Sequence, residues 1–297
     1  MEISIRESCV GCGLCSQICP AHIFGKPQET EEDEECGKLK PSITSVSACI
    51  ECGHCVCTCP AEAIEHSSFP KEKLIPLQSG WQPDWEAFRL LAESRRSVRH
   101  FKKEKIAHEA LARIVSAAEM APTACNARRV HWTVVTNDEI LRLIWKATTA
   151  FLRGCVNVMD SPWAAFTAKL LPKSELGKNY ARLPMMKSLL KAADSQDLIL
   201  YGAPALLIAH TETQGGRFAE IDAQLAIQNA TLAATALGLG TFYVGFVTRA
   251  AERNPVIPKI LQIPKDHKIA GGMAVGIPAV SYHHAPKREY PEASWLE

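Results

Sequence analysis

No uninterrupted apolar run of about 18 residues occurs in this 297-residue chain, so no helix is expected to cross a bilayer. A basic leader followed by an apolar stretch is also missing from the N-terminus, and the expectation is a soluble, cytoplasmic protein that needs no membrane. Lysine and arginine are scattered without any of the usual nucleic-acid motifs, which argues against a nucleic-acid partner. Cysteine all but disappears after residue 59, where only Cys125 and Cys155 remain of twelve. Disulfides are rare in a reducing compartment, so the crowd of cysteines before that point calls for another explanation.

That crowd is ordered. Cys9-x-x-Cys12-x-x-Cys15-x-x-x-Cys19-Pro20 and Cys49-x-x-Cys52-x-x-Cys55-x-x-x-Cys59-Pro60 repeat one spacing. Three cysteines at every third position wrap three iron corners of a cubane cluster, and the fourth thiolate must come from elsewhere. The pattern is that of two-cluster bacterial ferredoxins, in which the last cysteine of each run crosses over. The expected ligand sets are therefore Cys9, Cys12, Cys15 and Cys59 for one 4Fe-4S cluster and Cys49, Cys52, Cys55 and Cys19 for the other. Zinc sites use separated Cys-x-x-Cys pairs and give no reason for the third and fourth cysteines. Cys36 and Cys57 stand outside both runs and read as incidental thiols.

The chain is long enough for two domains. Residues 1–66 are expected to form a small ferredoxin-like domain with too little apolar core to stand without metal. They carry 4 Lys+Arg against 11 Asp+Glu, a balance of −7, while the remainder carries 29 against 21, a balance of +8. Opposite charges favour docking, within the roughly 8 Å reach that physiological salt leaves. The acidic block at 29–35 reads as a solvated loop. Ser, Pro and Gly punctuate residues 67–83, read as a linker.

Residues 84–297 read as mixed α and β. Asp84 caps a helix carrying Trp85, Phe88 and Leu91, and Ile106 to Ala118 keep helical spacing as far as Pro122. Trp132 to Val135 form a strand, Asn137 caps the next helix, and strands are expected over 205–209 and 273–277. Alanine-rich residues 221–237 predict a central buried helix ending at Gly238.

Four segments carry a resemblance. Ser94-Arg95-Arg96-Ser97-Val98-Arg99 resembles the phosphate-binding signature of the nitroreductase family of flavoproteins. Guanidinium forks and a hydroxyl suit the dianionic phosphate of FMN. Ala121-Pro122-Thr123-Ala124-Cys125-Asn126 resembles the family's Ala-Pro-Ser-x-x-Asn segment, which reaches the flavin from a partner subunit. Leu237-Gly238-Leu239-Gly240-Thr241-Phe242-Tyr243-Val244-Gly245 resembles its glycine-rich segment, where a main-chain N–H, at Val244 or Gly245 here, meets flavin N5. Lys287-Arg288 is similar to its final basic pair. The resemblance implies an α+β sandwich that binds FMN and assembles as a homodimer, with flavin contacts from Arg95, Arg96, Ser97, Arg99, Pro122, Thr123, Asn126, Tyr243, Val244, Gly245, Lys287 and Arg288. Residues 161–196, with Trp163, Phe166, Leu170, Leu171, Tyr180, Met185 and Met186, correspond to the family's variable cover over the flavin and read equally as a substrate lid or as ordinary packing. No side chain stands out as a proton donor, although Tyr243 and His131 are imaginable acids.

The resemblance implies an FMN-dependent oxidoreductase acting on a nitroaromatic, a quinone or an activated alkene, and the fused clusters suggest single-electron delivery from ferredoxin or a similar low-potential donor. Other readings stay open: direct reduction by NADH or NADPH with the clusters secondary, a carrier or sensor without turnover, and reductive dehalogenation.

Overall fold

The computed structural model describes residues 1–28, 40–77, 84–193, 195–287, 289 and 292–296. The chain divides into two compact units, residues 1–83 together with 124–127, and residues 84–123 together with 128–297. The acidic block at 29–35, Cys36 and the end of the expected linker lie outside the described residues.

The first unit is built from two similar halves. Strands β1 (Ile3–Ile5) and β4 (Ile64–His66) pair antiparallel, with Ile3 opposite His66, and β2 (Phe24–Gln28) pairs antiparallel with β3 (Lys40–Ile43). Helices α1 (Leu14–Ile18) and α2 (His54–Thr58) are each five residues long and follow a left-handed glycine, Gly13 at φ 71° and Gly53 at φ 74°. A side chain at either position would be strained, and the turn it makes aims the third cysteine of each run inward. The core is small: Cys15, Cys19, Ile23, Phe24, Cys55, Val56 and Ile64 are its buried members. Three of these seven are cysteines, so much of what fills the centre is sulfur. Phe69 and Leu74 pack against the same cluster, so the part of the expected linker up to residue 74 belongs to this unit.

The second unit is a four-stranded antiparallel sheet in the order β5 (His131–Val135), β6 (Ala205–Glu212), β8 (His267–Gly276), β7 (Gly240–Tyr243). Strand β6 is central and buried along almost its whole length. Its side chains alternate between two cores, as a strand's must. Ala205 and Leu207 join Leu111, Ile114 and Ala118 of α4 (His108–Glu119) and Ala226, Ala230 and Ala234 of α9 (Gly216–Ala236). Leu206 and Ile208 join Ile144 and Leu152 of α5 (Asp138–Met159), Leu183 and Leu190 of α8 (Leu183–Ala192), Val247 of α10 (Gly245–Ala251) and Ile257 of α11 (Val256–Ile260). Helices therefore cover both faces of the sheet.

Local signals account for the helix starts. The Asp84 carboxylate accepts from Glu86 N at the head of α3 (Trp85–Ser94), and Asn137 Oδ1 accepts from Glu139 N and Ile140 N at the head of α5. The central helix begins five residues before the expected position, at Gly216, and Gly238 at φ 72° follows its end. Strand β7 was not expected. Its first residue, Gly240, lies where an added Cβ would stand 2.8 Å from Val98 Cβ. A glycine that reads as loop is here a strand residue under a close neighbour. Helices α6 (Pro162–Leu170), α7 (Glu175–Ala181) and α8 fill residues 162–192. Tyr180 and Met186 pack on the core, whereas Trp163, Phe166, Leu170, Leu171 and Met185 are exposed. Among the described residues no helix is long and apolar enough to cross a membrane.

Three histidines meet at one end of the sheet. His131 lies opposite His210 in register, and His210 Nδ1 is 2.9 Å from His267 Nδ1. Burial first, then His267 and His131, pulls His210 down to about 4 from an ordinary 6.5. Between those values the unfolded chain binds a proton that the folded chain refuses, so this contribution is complete above about pH 6.5 and is lost as pH falls toward about 4. His210→Gln is expected to flatten the acid side of the stability profile, checked by urea unfolding across that range; an unchanged slope would contradict the assignment.

Candidate functional site

The cysteines of the first unit form two groups. One cavity is lined by Cys9, Cys12, Cys15 and Cys59 with Val10, Leu14, Pro41 and Ile64. A second is lined by Cys19, Cys49, Cys52 and Cys55 with Ile23, Phe24, Ile50 and His66. Each cavity thus takes three cysteines from one run and the last cysteine of the other. The short helices produce this exchange. Both carry their third cysteine inward, at Cys15 and Cys55, and both end at an extended C-cap cysteine, Cys19 and Cys59, that turns toward the opposite half.

The electrostatics of these thiols favour a metal. Burial, with smaller contributions from Cys52, Cys49 and Cys19, pushes the Cys55 thiol up to about 11. Cys15 is raised for the same reason, with Cys9 adding to it. Free thiolates are disfavoured there, and bound metal supplies the positive charge that deprotonation requires. Among the described residues no group of three or more His, Cys, Asp or Glu is arranged around a single ion. Zinc draws its ligands to about 2.3 Å of one centre, whereas a cubane spreads four thiolates over its corners, which suits two four-sulfur cavities with apolar walls.

Donors already point at some of the sulfurs. Glu51 N reaches Cys49 Sγ at 3.3 Å and Ala63 N reaches Cys59 Sγ at 3.2 Å. His66 Nε2 lies 3.5 Å from Cys49 Sγ, and burial lowers the pKa of this imidazole. His66 was not singled out from sequence. Aligning the two halves would have exposed it, since Lys26 occupies the same place after the first run. Of the remaining cysteines, Cys57 and Cys125 are exposed and Cys155 is partly buried.

In the second unit the arginine-rich strip is stitched to the end of the sheet. Val98 N donates to Thr241 O at 2.9 Å, Ser97 forms a parallel bridge with Thr241, and Phe101 bridges to Pro278. The three arginines differ in what they do. Arg96 Nη1 donates to Glu93 O and Arg95 O, both at 2.7 Å, and so caps the end of α3. Arg99 lies over the rings of Phe242 and Tyr201, 5.3 and 5.8 Å from their centroids. Arg95 is half-buried and its guanidinium has no partner among the described residues.

The other expected contacts are scattered. Pro122 is exposed, and Thr123 Oγ1 accepts from Arg128 N at 3.1 Å. Residues 124–127 group with the first unit, where Asn126 Nδ2 donates to Glu51 O at 2.6 Å. Cys125 and Asn126 both take a left-handed backbone there, at φ 51° and 52°. Tyr243 is exposed, with its hydroxyl 3.2 Å from Gln224 Nε2. Of the two main-chain donors expected near flavin N5, Val244 N is spent on Gly272 O at 3.0 Å. Gly245 N opens α10, where a first-turn N–H has no helical acceptor. Lys287 is exposed, and Arg288 lies outside the described residues.

Comparison with known proteins agrees with both units. The 4Fe-4S dicluster domain matches residues 1–63 and the nitroreductase family matches residues 92–277. No curated protein matches the chain. Among solved structures, a nitroreductase with bound FMN from Bacteroides fragilis is 22% identical, with 70% of this chain and 97% of that one covered and a TM-score of 0.53. A nitroreductase with bound FMN from Desulfitobacterium hafniense is 23% identical over 68% of this chain and 96% of that one, at a TM-score of 0.50. A BluB-like flavoprotein from Clostridium difficile is 19% identical over 68% and 94%, at a TM-score of 0.51. These likenesses are of fold, whereas the family match extends over more than half of the sequence. The chain belongs to the nitroreductase family and carries a 4Fe-4S dicluster domain ahead of the family's own.

Proposed function

We propose that the protein is an iron–sulfur flavoprotein oxidoreductase in which two 4Fe-4S clusters take electrons singly from a low-potential donor such as ferredoxin and FMN passes them in pairs to a small nitroaromatic, quinone or activated alkene. The observation that carries this reading is the gathering of eight cysteines, four and four, around two cavities of a chain in the nitroreductase family. The chain's own residues divide the work. Cys9, Cys12, Cys15 and Cys59 hold one cluster and Cys19, Cys49, Cys52 and Cys55 the other, with apolar side chains beside both sets.

FMN phosphate falls first to Arg95, whose guanidinium has no partner among the described residues. Ser97 and Lys287 assist it, and Arg288 is retained from the family pattern. Arg96 and Arg99 shape the same strip through the carbonyls and rings they already hold. Gly245 N is the main-chain donor left for the flavin ring, beside Tyr243, with Thr123 near the end of α4. Solvent supplies the acceptor's proton. Phe218, Ile221 and Leu225 of α9 are exposed on one helix face, which supports a homodimer built on that helix. The reading places the protein in the cytoplasm, where thiols stay reduced.

Four experiments test this. Cys59→Ala is expected to lower iron and labile sulfide from about eight of each per chain to about four and to erase the cluster signal of the first cavity, leaving the second; loss of the second signal instead would reverse the ligand sets. In the anaerobic full-length protein, reduced ferredoxin is expected to bleach the flavin and NADH or NADPH to leave it oxidised, with Cys52→Ala slowing donor-driven bleaching at least tenfold. Rapid bleaching by nicotinamide, indifferent to Cys52, would favour the competing route. Arg95→Ala should weaken FMN binding by about 1.5–3 kcal/mol, the worth of a charge-assisted hydrogen bond, and Leu225→Glu should shift the species seen by light scattering from dimer to monomer.

A further inference from the structure

The two halves of the first unit share their cysteine spacing, the glycine before each short helix and the Cys-Pro-Ala that closes each run, and differ at a position that faces the sulfurs in one half only. Cys19-Pro20-Ala21 leads into β2 and Cys59-Pro60-Ala61 leads into β4, and seven residues after the last cysteine stand Lys26 in one half and His66 in the other. Lys26 is exposed, whereas His66 is buried, with 4% of its surface accessible. An imidazole hidden in a small unit must have its ring nitrogens satisfied.

Both nitrogens of His66 are engaged, and the partners fix the tautomer. Ser68 N donates to His66 Nδ1 at 3.1 Å. A backbone N–H has no lone pair, so Nδ1 accepts, and in the neutral ring the proton then sits on Nε2. Nε2 lies 3.5 Å from Cys49 Sγ, which makes the contact an N–H···S hydrogen bond donated to the sulfur. The ring is held in place by Phe69, whose centroid is 5.0 Å away and whose N–H donates to His66 O at 2.9 Å. Ser68 itself is anchored through its hydroxyl to Glu51 Oε2. Cys49 Sγ thus accepts from His66 and from Glu51 N. At the other cavity Ala63 N donates to Cys59 Sγ and Ser16 hydrogen-bonds Cys15, but no imidazole reaches a sulfur among the described residues.

We propose that His66 is a positioning residue that, through Cys49, raises the reduction potential of the cluster held by Cys19, Cys49, Cys52 and Cys55 and makes the two clusters inequivalent. The inference rests on the reading that the eight cysteines hold clusters. One-electron reduction adds one negative charge to the iron–sulfur core and its thiolates, with no bond broken and no proton moved. A neutral N–H aimed at a ligating sulfur stabilises the more negative state more than the less negative one, so the potential rises. A lysine on the exposed surface of the other half has no such grip on a sulfur.

The test is an anaerobic redox titration of the full-length protein followed by electron paramagnetic resonance, with iron and labile sulfide counted in each sample. In His66→Leu the midpoint of one cluster is expected to fall while the other stays put. A tenfold loss of preference for the reduced state would appear as about 59 mV for a one-electron couple. His66→Gln, whose amide N–H reaches toward the same sulfur, should recover most of the shift, and Lys26→Leu should move neither midpoint. If His66→Leu fails to hold both clusters, ¹⁵N-histidine labelling of the unsubstituted protein replaces it. A nitrogen hyperfine coupling to one reduced cluster, lost in His66→Gln, supports the proposal, and its absence overturns it. Two clusters with unmoved midpoints in His66→Leu, or equal shifts in the leucine and glutamine variants, would overturn this inference alone. A protein without iron or labile sulfide would overturn the function proposed above as well.

Discussion

Four cysteines line each of two cavities inside a unit that has little else to bury. Cys15, Cys19 and Cys55 are nearly half of its buried core, and burial drives the Cys55 thiol to about 11. Left to themselves these thiols contribute modest apolar packing and no charge. Bound to metal they become the strongest cross-links in the unit, joining each half to the cysteine that crosses from the other. The left-handed glycines, the five-residue helices and the extended caps at Cys19 and Cys59 all follow from delivering sulfur to those cavities.

The second unit answers a different demand. A flavoprotein fold needs a rigid edge against which a flat cofactor can lie, and the buried run of β6 with helices on both faces supplies the rigidity. The arginine-rich strip meets β7 at residues 97–101, joined by the Val98–Thr241 hydrogen bond and the close fit of Gly240 under Val98. The arginines around that junction are not interchangeable. Arg96 finishes a helix, Arg99 covers two aromatic rings, and Arg95 has no partner among the described residues.

How much of this could be read from sequence depended on how local the cause was. Cysteine spacing is set by the reach of a few bonds, so both runs, and the dicluster domain they belong to, were legible. Caps at Asp84 and Asn137 were legible for the same reason, because a side-chain oxygen finds N–H groups two and three residues on. Strand β7 was not, since Gly238 and Gly240 have the composition of a loop and only the pairing with β8 makes a strand of them. That one omission hid the loss of Val244 N to Gly272. The division of labour among Arg95, Arg96 and Arg99, and the bond from Asn126 to Glu51, depend on residues distant in sequence and carry no local signature. His66 was hidden differently: a lone histidine means little until the two halves are aligned and Lys26 is found in its place.

Everything said of electron flow requires iron–sulfur cores and a flavin in the same polypeptide. The direct measurement is elemental, sulfide and flavin analysis of the full-length protein purified without oxygen. The account predicts iron and acid-labile sulfide in equal amounts, about eight of each, together with one FMN per chain. Zinc without labile sulfide, or a colourless protein free of flavin, would contradict it.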